Sequence, residues 1–300
     1  VKKVFTCGGA SWNAVITLDA FPGAIPQTIH ECDFDETLGN TGAGKALNLA
    51  RLGFETTLHA LLGNDHYGDL VRKELDQPNL HFITDNDPQG TERHLNILNA
   101  NGERISIFIN PSFDEPNLDH FKMESLIEAS DYAVINISNY CRHLLPICQK
   151  LGKEIWTDLH DYDGKNEYHQ DFIEAADYIF LSSDNLPNYK EFMESMIVKG
   201  KQLVVCTHAK NGASALTVTG KWFDVPIVNA YQLVNANGAG DSFFSGFLYA
   251  FDQGYDTLKC LQYASIVAGL CIESKELYNE TLSVELLQNH YDQFYNNVRL

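Results

Sequence analysis

Positive charge is scarce in this chain: 21 Lys and Arg stand against 40 Asp and Glu in 300 residues, a formal net charge of −19. A phosphate backbone needs a basic face, so nucleic acid is excluded as the main partner. An acidic protein can still bind a single nucleotide if backbone N–H groups and helix N-termini supply local positive potential. Cysteine is thinly spread, with seven residues, no C-x-x-C spacing and mostly apolar surroundings. That predicts buried free thiols and no clustered zinc ligands. No apolar run approaches the ~18 residues of a membrane span, so none is expected. Fixed-period repeats, low-complexity tracts and a clear interdomain linker are also missing. Val4–Cys7 reads as a strand with no charged, apolar leader before it, which predicts a cytoplasmic protein without a secretory signal.

What is present is an alternation of short apolar runs with helical patterns. Strand-like runs include Val4–Cys7, Thr56–Leu62, Tyr132–Ile137, Glu154–Leu159, Tyr178–Leu181, Leu203–Thr207 and Ala215–Val218. Helical patterns cover Gly44–Leu52, Asp69–Leu75, Arg142–Leu151, Leu186–Val198, Asp241–Phe251 and Leu258–Glu273, with Gly53 and Gly152 as C-terminal stops. Strand, helix and strand in succession predict a parallel sheet covered on both faces. Residues 13–38 and 92–110 break the rhythm with β-branched alternation, and Asn101-Gly102 is a two-residue hairpin signal. The expectation is one α/β domain over residues 1–300 with a small β appendage built from those two segments.

Gly-Ala-Gly occurs twice. The first copy, in Gly39-Asn40-Thr41-Gly42-Ala43-Gly44-Lys45-Ala46, nearly spells a P-loop. It lacks the Ser or Thr that would place a hydroxyl on Mg²⁺, and an acidic segment precedes it rather than a buried strand. It reads as a turn that enters a helix and approaches a ligand closely. The second copy, Asn237-Gly238-Ala239-Gly240-Asp241-Ser242, precedes a helical pattern. Successive N–H groups and the helix dipole there suit a transferring phosphoryl group. Asp241 could accept a proton from an attacking hydroxyl beside that cradle, or could simply cap the helix. Local pattern alone leaves both readings open.

Asn237-Gly238-Ala239-Gly240-Asp241-Ser242-Phe243, with Gly246-Phe247 after it, resembles the C-terminal signature of the ribokinase-like (PfkB) carbohydrate kinases. Residues 39–53, ending in Ala50-Arg51-Leu52-Gly53, resemble the family's N-terminal glycine signature. Gly63-Asn64-Asp65, Tyr67-Gly68, Gly102-Glu103, Asp158 and Thr207 through Gly212 lie between them in the family's order. The resemblance spans about residues 4–273. It implies a three-layer α/β/α core around a mostly parallel, nine-stranded-type sheet, with a small β-sheet lid. It further implies ATP as phosphoryl donor, Mg²⁺ as cofactor and an alcohol of a sugar or sugar-like molecule as acceptor.

By position Asp241 becomes the catalytic base, with an anion hole from the N–H groups of Gly238, Ala239, Gly240 and Asp241. Asn13, Gly39, Asn40, Thr41, Gly42 and Ser138 fall on the substrate side. Ser183, Asp184, Thr207, Ala209, Gly212 and Ser265 fall along the nucleotide, with Asp184 also a candidate metal ligand. An exposed lid hairpin could pair with a second copy to give a homodimer.

The chain departs from the family pattern in several places. Asn13 stands where relatives have Asp, Gly44 where they have Asn, and Ala209 where they have Gly. Ser183-Asp184-Asn185-Leu186 replaces N-x-x-E, and Asn235 replaces an Asp linked to a monovalent-cation site. Lys45 reads as a solvated helix residue, with an acidic or phosphorylated acceptor, or structural pairing, as the alternatives. Asp158, His160, Asp161 and Asp163 look like a metal cluster but read more simply as a solvated loop, with a place for Asp158 near the substrate or phosphate side, as the resemblance implies, the alternative; His208 reads as structural with no evident partner. A degenerate nucleotide- or sugar-binding regulator and a nucleoside kinase are the competing functions.

Overall fold

The computed structural model describes residues 1–100 and 104–296. The Asn101-Gly102 turn and the Gly102-Glu103 pair lie outside the described residues. The chain opens with β1 (Lys3–Cys7), leaves the body in β2 (Ser11–Leu18) and β3 (Asp33–Gly39), and returns through α1 (Thr41–Arg51). β4 (Glu55–Leu62), α2 (His66–Glu74) and β5 (Leu80–Asn86) follow, then a second excursion in β6 (Arg93–Asn99) and β7 (Arg104–Asn110). Next come α3 (His120–Glu128), β8 (Tyr132–Ile135), α4 (Leu145–Lys150), β9 (Ile155–Asp158), α5 (Gln170–Ala175), β10 (Tyr178–Ser182) and α6 (Tyr189–Val198). The remaining elements are β11 (Leu203–Thr207), β12 (Ala213–Thr217), β13 (Trp222–Val225), α7 (Ala239–Asp252), α8 (Thr257–Ile272) and α9 (Val284–Tyr291).

Nine strands form one sheet in the order β13-β12-β11-β10-β9-β8-β1-β4-β5. All neighbours are parallel except at β11–β12 and β12–β13. Apolar residues on both faces of each strand allow helices to cover both sides. Val4, Phe180 and Val205 face a core shared with α1, α7, α8 and α9, whereas Phe5, Ile179 and Val204 face one shared with α3 to α6. Trp156 anchors the first core, stacked on Tyr178 at 4.0 Å. The result is the three-layer α/β/α architecture expected from the resemblance.

The four strands outside this sheet form the lid, in the order β3-β2-β6-β7. Its register puts Asn13, Thr37, His94, Asn96, Ser106 and Phe108 on one face. Ala14, Ile16, Phe34, Leu95, Ile97, Ile105 and Ile107 share the other, since side chains alternate along strands. The first face turns to the body: Thr37 Oγ1 donates to Glu276 Oε2 at 2.8 Å, and Arg104 Nη1 donates to Asn237 Oδ1 at 2.7 Å. Ile105, Ile107, Ile109 and Phe34 stay exposed on the outer side.

Several local readings need correction. The first helix begins at Thr41 rather than Gly44, because the Asn40 side chain accepts from the Thr41 N–H and caps it early. Leu186–Val198 shortens to a helix from Tyr189, after Pro187. The expected Arg142–Leu151 helix divides into a 3₁₀ segment, Asn139–Leu144, and α4, with Pro146 in the first turn of the latter. Six cysteines are buried free thiols as expected, but Cys32 is exposed. Gly53 and Gly152 do end helices, with φ of 89° and 64°. No helix among the described residues is long and apolar enough to cross a membrane.

Candidate active site

In open parallel sheets, ligands gather at the carboxyl ends of the strands. Gly8 follows β1, Asn136 follows β8, Asp158 ends β9, Ser183 follows β10 and His208 follows β11, so five loops rise on that side. Two helix N-termini meet above them. α1 starts at Thr41, and its first turn presses on the loop after β1, since a Cβ on Gly42 would lie 2.6 Å from the Gly8 carbonyl carbon and the Gly9 oxygen. Glycine at 42 is thus a packing requirement. α7 starts after Gly238, whose φ of 81° and whose close approach to the Leu277 carbonyl both need a residue without a side chain.

Asp241 sits in the first turn of α7 with its side chain 12% exposed. Its Oδ1 accepts from Thr41 Oγ1 at 2.5 Å and from Lys45 Nζ at 2.6 Å. Oδ2 lies over Gly44, where a Cβ would come within 2.6 Å of it. The glycine that replaces the family's Asn therefore makes room for this carboxylate. Above it, the N–H groups of Gly238, Gly240 and Asp241 have no acceptor within the described protein, while that of Ala239 reaches the Ala236 carbonyl at 3.3 Å. A helix with free first-turn amides and no capping side chain leaves those donors for a ligand.

Lys45 overturns the solvated-helix reading. It is fully buried on α1, and its ammonium donates to Thr41 Oγ1 (2.5 Å), Asp241 Oδ1 (2.6 Å) and Asp158 Oδ2 (3.0 Å), above the Phe244 ring. Burial opposes its charge, but the carboxylates of Asp158 and Asp241 outweigh that and hold its pKa above the ordinary lysine value. Asp158 is buried too. Burial works against its ionisation, yet His160 and Lys45 hold it well below the usual carboxylate range. The loop at 158–163 is accordingly not one solvated cluster. Asp158 faces Lys45, Asp161 Oδ2 accepts from Asn185, and Asp163 Oδ1 accepts the N–H groups of Lys165 and Asn166.

Comparison with known proteins now bears on this geometry. The model of the pfkB family carbohydrate kinases matches residues 10–283. The chain belongs to that family. Acarbose 7(IV)-phosphotransferase of Actinoplanes sp. is 28% identical over 271 residues, covering 88% of this chain and 89% of that protein. 5-dehydro-2-deoxygluconokinase of Clostridium perfringens is 23% identical, covering 91% and 89%. Among solved structures, a microbiome-derived acarbose kinase superposes with a TM-score of 0.84 at 24% identity, covering 96% of this chain and 98% of its own. The ribokinase of Arabidopsis thaliana, solved with ribose and ATP, gives 0.80 at 17% identity, covering 96% and 98%. These likenesses extend over the whole ribokinase-like fold, lid included.

The other sequence-derived residues of this carbohydrate kinase divide between two places. Asn13 is buried on β2, where its Oδ1 accepts from Ser11 Oγ (2.8 Å) and the His94 N–H (3.2 Å). Gly39 packs against it, since a Cβ there would meet Asn13 Nδ2 at 1.9 Å. Asn40 holds a φ of 79° as the cap of α1, and Ser138 lies half-buried after β8. Asn136, which sequence reasoning missed, accepts from Thr41 Oγ1 at 3.3 Å while its Nδ2 donates to Cys7 O and Thr6 Oγ1.

The second place is a cleft of about 530 Å³ lined by Ser183, Tyr189, His208, Asn211, Ser214 and Asp224, among others. His208 is far from partnerless. Its ring bridges Ser183 Oγ and Ser214 Oγ, both at 2.9 Å, and Ser214 donates to Asp224 at 2.6 Å. Burial lowers its pKa below the ordinary histidine value, with Asp224 opposing.

Thr207, Ala209 and Gly212 are in the chain around His208 but do not line this cleft. Ala209 adopts a φ of 47°, a conformation in which the family's glycine is unstrained. Ser265 is buried in α8 and lines the cleft no more than they do. Asp184 is exposed beside Ser183, its carboxylate without a partner among the described residues.

Proposed function

We propose that this carbohydrate kinase moves the γ-phosphoryl group of ATP to an alcohol of a saccharide, with Asp241 as general base and the amides of Gly238, Gly240 and Asp241 as anion hole. One observation carries the reading. The Asp241 carboxylate is clamped through Oδ1 by Thr41 and Lys45, and it sits in the same helical turn as amides that have no acceptor of their own. A carboxylate held by one oxygen keeps the other for the proton of an incoming alcohol. Amides fixed by a helix stabilise charge on the moving phosphoryl group without reorganising.

ATP extends from this turn into the Ser183–His208–Asp224 cleft. Mg²⁺ would travel with the nucleotide, because it binds through phosphates, water and one or two carboxylates rather than a closed protein cage. The free carboxylate of Asp184 beside that cleft fits such a role, and no group of three or more potential ligands occurs among the described residues. When bound, the ion would offset negative charge on the phosphates. The acceptor belongs with the saccharides that name the acarbose phosphotransferase and the ribokinases. We place the protein in the cytoplasm, where ATP and reduced thiols coexist.

The test is turnover of Mg·ATP with a panel of saccharides by the wild-type chain and by Asp241→Asn. The expected loss in kcat for the variant is on the order of 10²–10⁴, the usual worth of a positioned base, with little change in nucleotide affinity. Equal turnover by the two proteins would overturn the assignment of Asp241.

A further inference from the structure

The body-facing side of the lid carries more binding chemistry than a single reacting ring can use. Asn13 and Asn96 are 3% and 4% exposed, on adjacent strands of that face. The Oδ1 of Asn13 is taken by Ser11 and by the His94 N–H, and the Oδ1 of Asn96 by Ser106 Oγ at 2.8 Å. Neither Nδ2 has an acceptor among the described residues. Beside them, on a face that also carries Val15 and Leu98, Phe108 is 58% exposed, with one side of its ring covered by His94 at 4.0 Å. His94 is held in turn by Glu92 at 2.8 Å.

We propose that Asn96 and Phe108 form a second sugar subsite, so that the acceptor is a saccharide of two or more rings without acidic groups. The inference rests on the phosphotransferase reading above and specifies its substrate. The reacting ring lies against Asn13, Asn40 and Thr41, and the next ring lies along Asn96 with its C–H face on Phe108. A pyranose has an apolar face and a rim of hydroxyls, so an aromatic surface flanked by amide donors matches both parts. From Asn13 on β2 to Phe108 on β7 is two strand spacings, roughly 10 Å, which is longer than one ring.

Charge points the same way. Lys45 spends its three donors on Thr41, Asp158 and Asp241, and Arg142 is paired with Asp171 and laid over Tyr168 and Phe172. Arg104, at the far end of the face, reaches Asn237 next to the phosphoryl cradle. Asp33 and Asp35 share the lid's inner face with Asn13. A carboxylated or phosphorylated acceptor would meet these carboxylates, while Lys45 and Arg142 are already paired with carboxylates and Arg104 is hydrogen-bonded to Asn237.

The full chain with Mg·ATP should be assayed on matched series, namely glucose, maltose and maltotriose; galactose and lactose; xylose and xylobiose; with glucuronate and gluconate as acids. In the preferred series kcat/KM should rise at least about tenfold from monosaccharide to disaccharide. Phe108→Ala should erase that rise by increasing KM for the longer acceptor about tenfold, leaving the monosaccharide within about twofold. Asn96→Asp, which keeps the shape and replaces the donor, should do the same. Thermal unfolding of each variant checks that it is folded. Preference for a monosaccharide or an acid, or an equal loss on both acceptor lengths in Phe108→Ala, overturns the subsite and leaves the kinase reading intact. Turnover of none of these sugars overturns both.

Discussion

At the scale of single residues, Lys45 shows how burial decides a role. A lysine four residues after Thr41 looks like a solvent-facing helix residue. Yet α1 has Gly, Ala and Leu around its whole circumference, and a helix apolar all round is buried all round. A charge inside such a helix must be paired, and that signal was present in the sequence. Its partners were not, because Asp158 and Asp241 lie 113 and 196 positions away. Lys45→Met leaves two buried carboxylates facing each other and should cost about 3–5 kcal/mol in denaturant unfolding. Pairing it with Asp158→Asn should recover part of that loss, a coupling that a double-mutant cycle reads directly.

Asp158 also makes stability depend on pH. Its folded value lies below its ordinary 3.8, so the stabilisation is complete above that value and drains as pH falls toward the folded one. The stability gap between wild type and Asp158→Asn should therefore narrow on acidification from pH 6 to pH 3.

At the scale of elements, the site is a contact between two helix N-termini, and glycines set its dimensions. Gly238 takes a left-handed conformation against the Leu277 carbonyl, where a Cβ would lie at 2.4 Å. Gly238→Ala should lower stability by more than the ~1–2 kcal/mol of the backbone term alone and should impair phosphoryl transfer, measurable as a fall in kcat. Gly44→Ala puts a methyl 2.6 Å from Asp241 Oδ2. A base displaced by about 1 Å can cost about 10² in rate, so this variant should lose activity while remaining folded. The repeated Gly-Ala-Gly pattern was legible as two turns entering helices. That they touch was not, because α1 and α7 are brought together only by the sheet between their chain positions.

At the scale of the molecule, the lid has two unlike faces. The inner one turns Asn13, Thr37 and Asn96 to the body, and the outer one carries Phe34, Ile105 and Ile107 exposed. We propose that a second copy covers this outer face. Light scattering should then give twice the monomer mass, and Ile105→Lys with Ile107→Lys should return the monomer by placing charges in the contact.

By itself the sequence determined the α/β class and the glycine turn that bears Asp241, because apolar periodicity and glycine turns are local and act through backbone geometry. Tertiary structure alone decided that Lys45 is buried between two carboxylates, that His208 bridges two serines, and that Asn13, Asn96 and Phe108 share a face. Those relations depend on strand order and register, which bring together residues from separate chain segments and which no local pattern encodes.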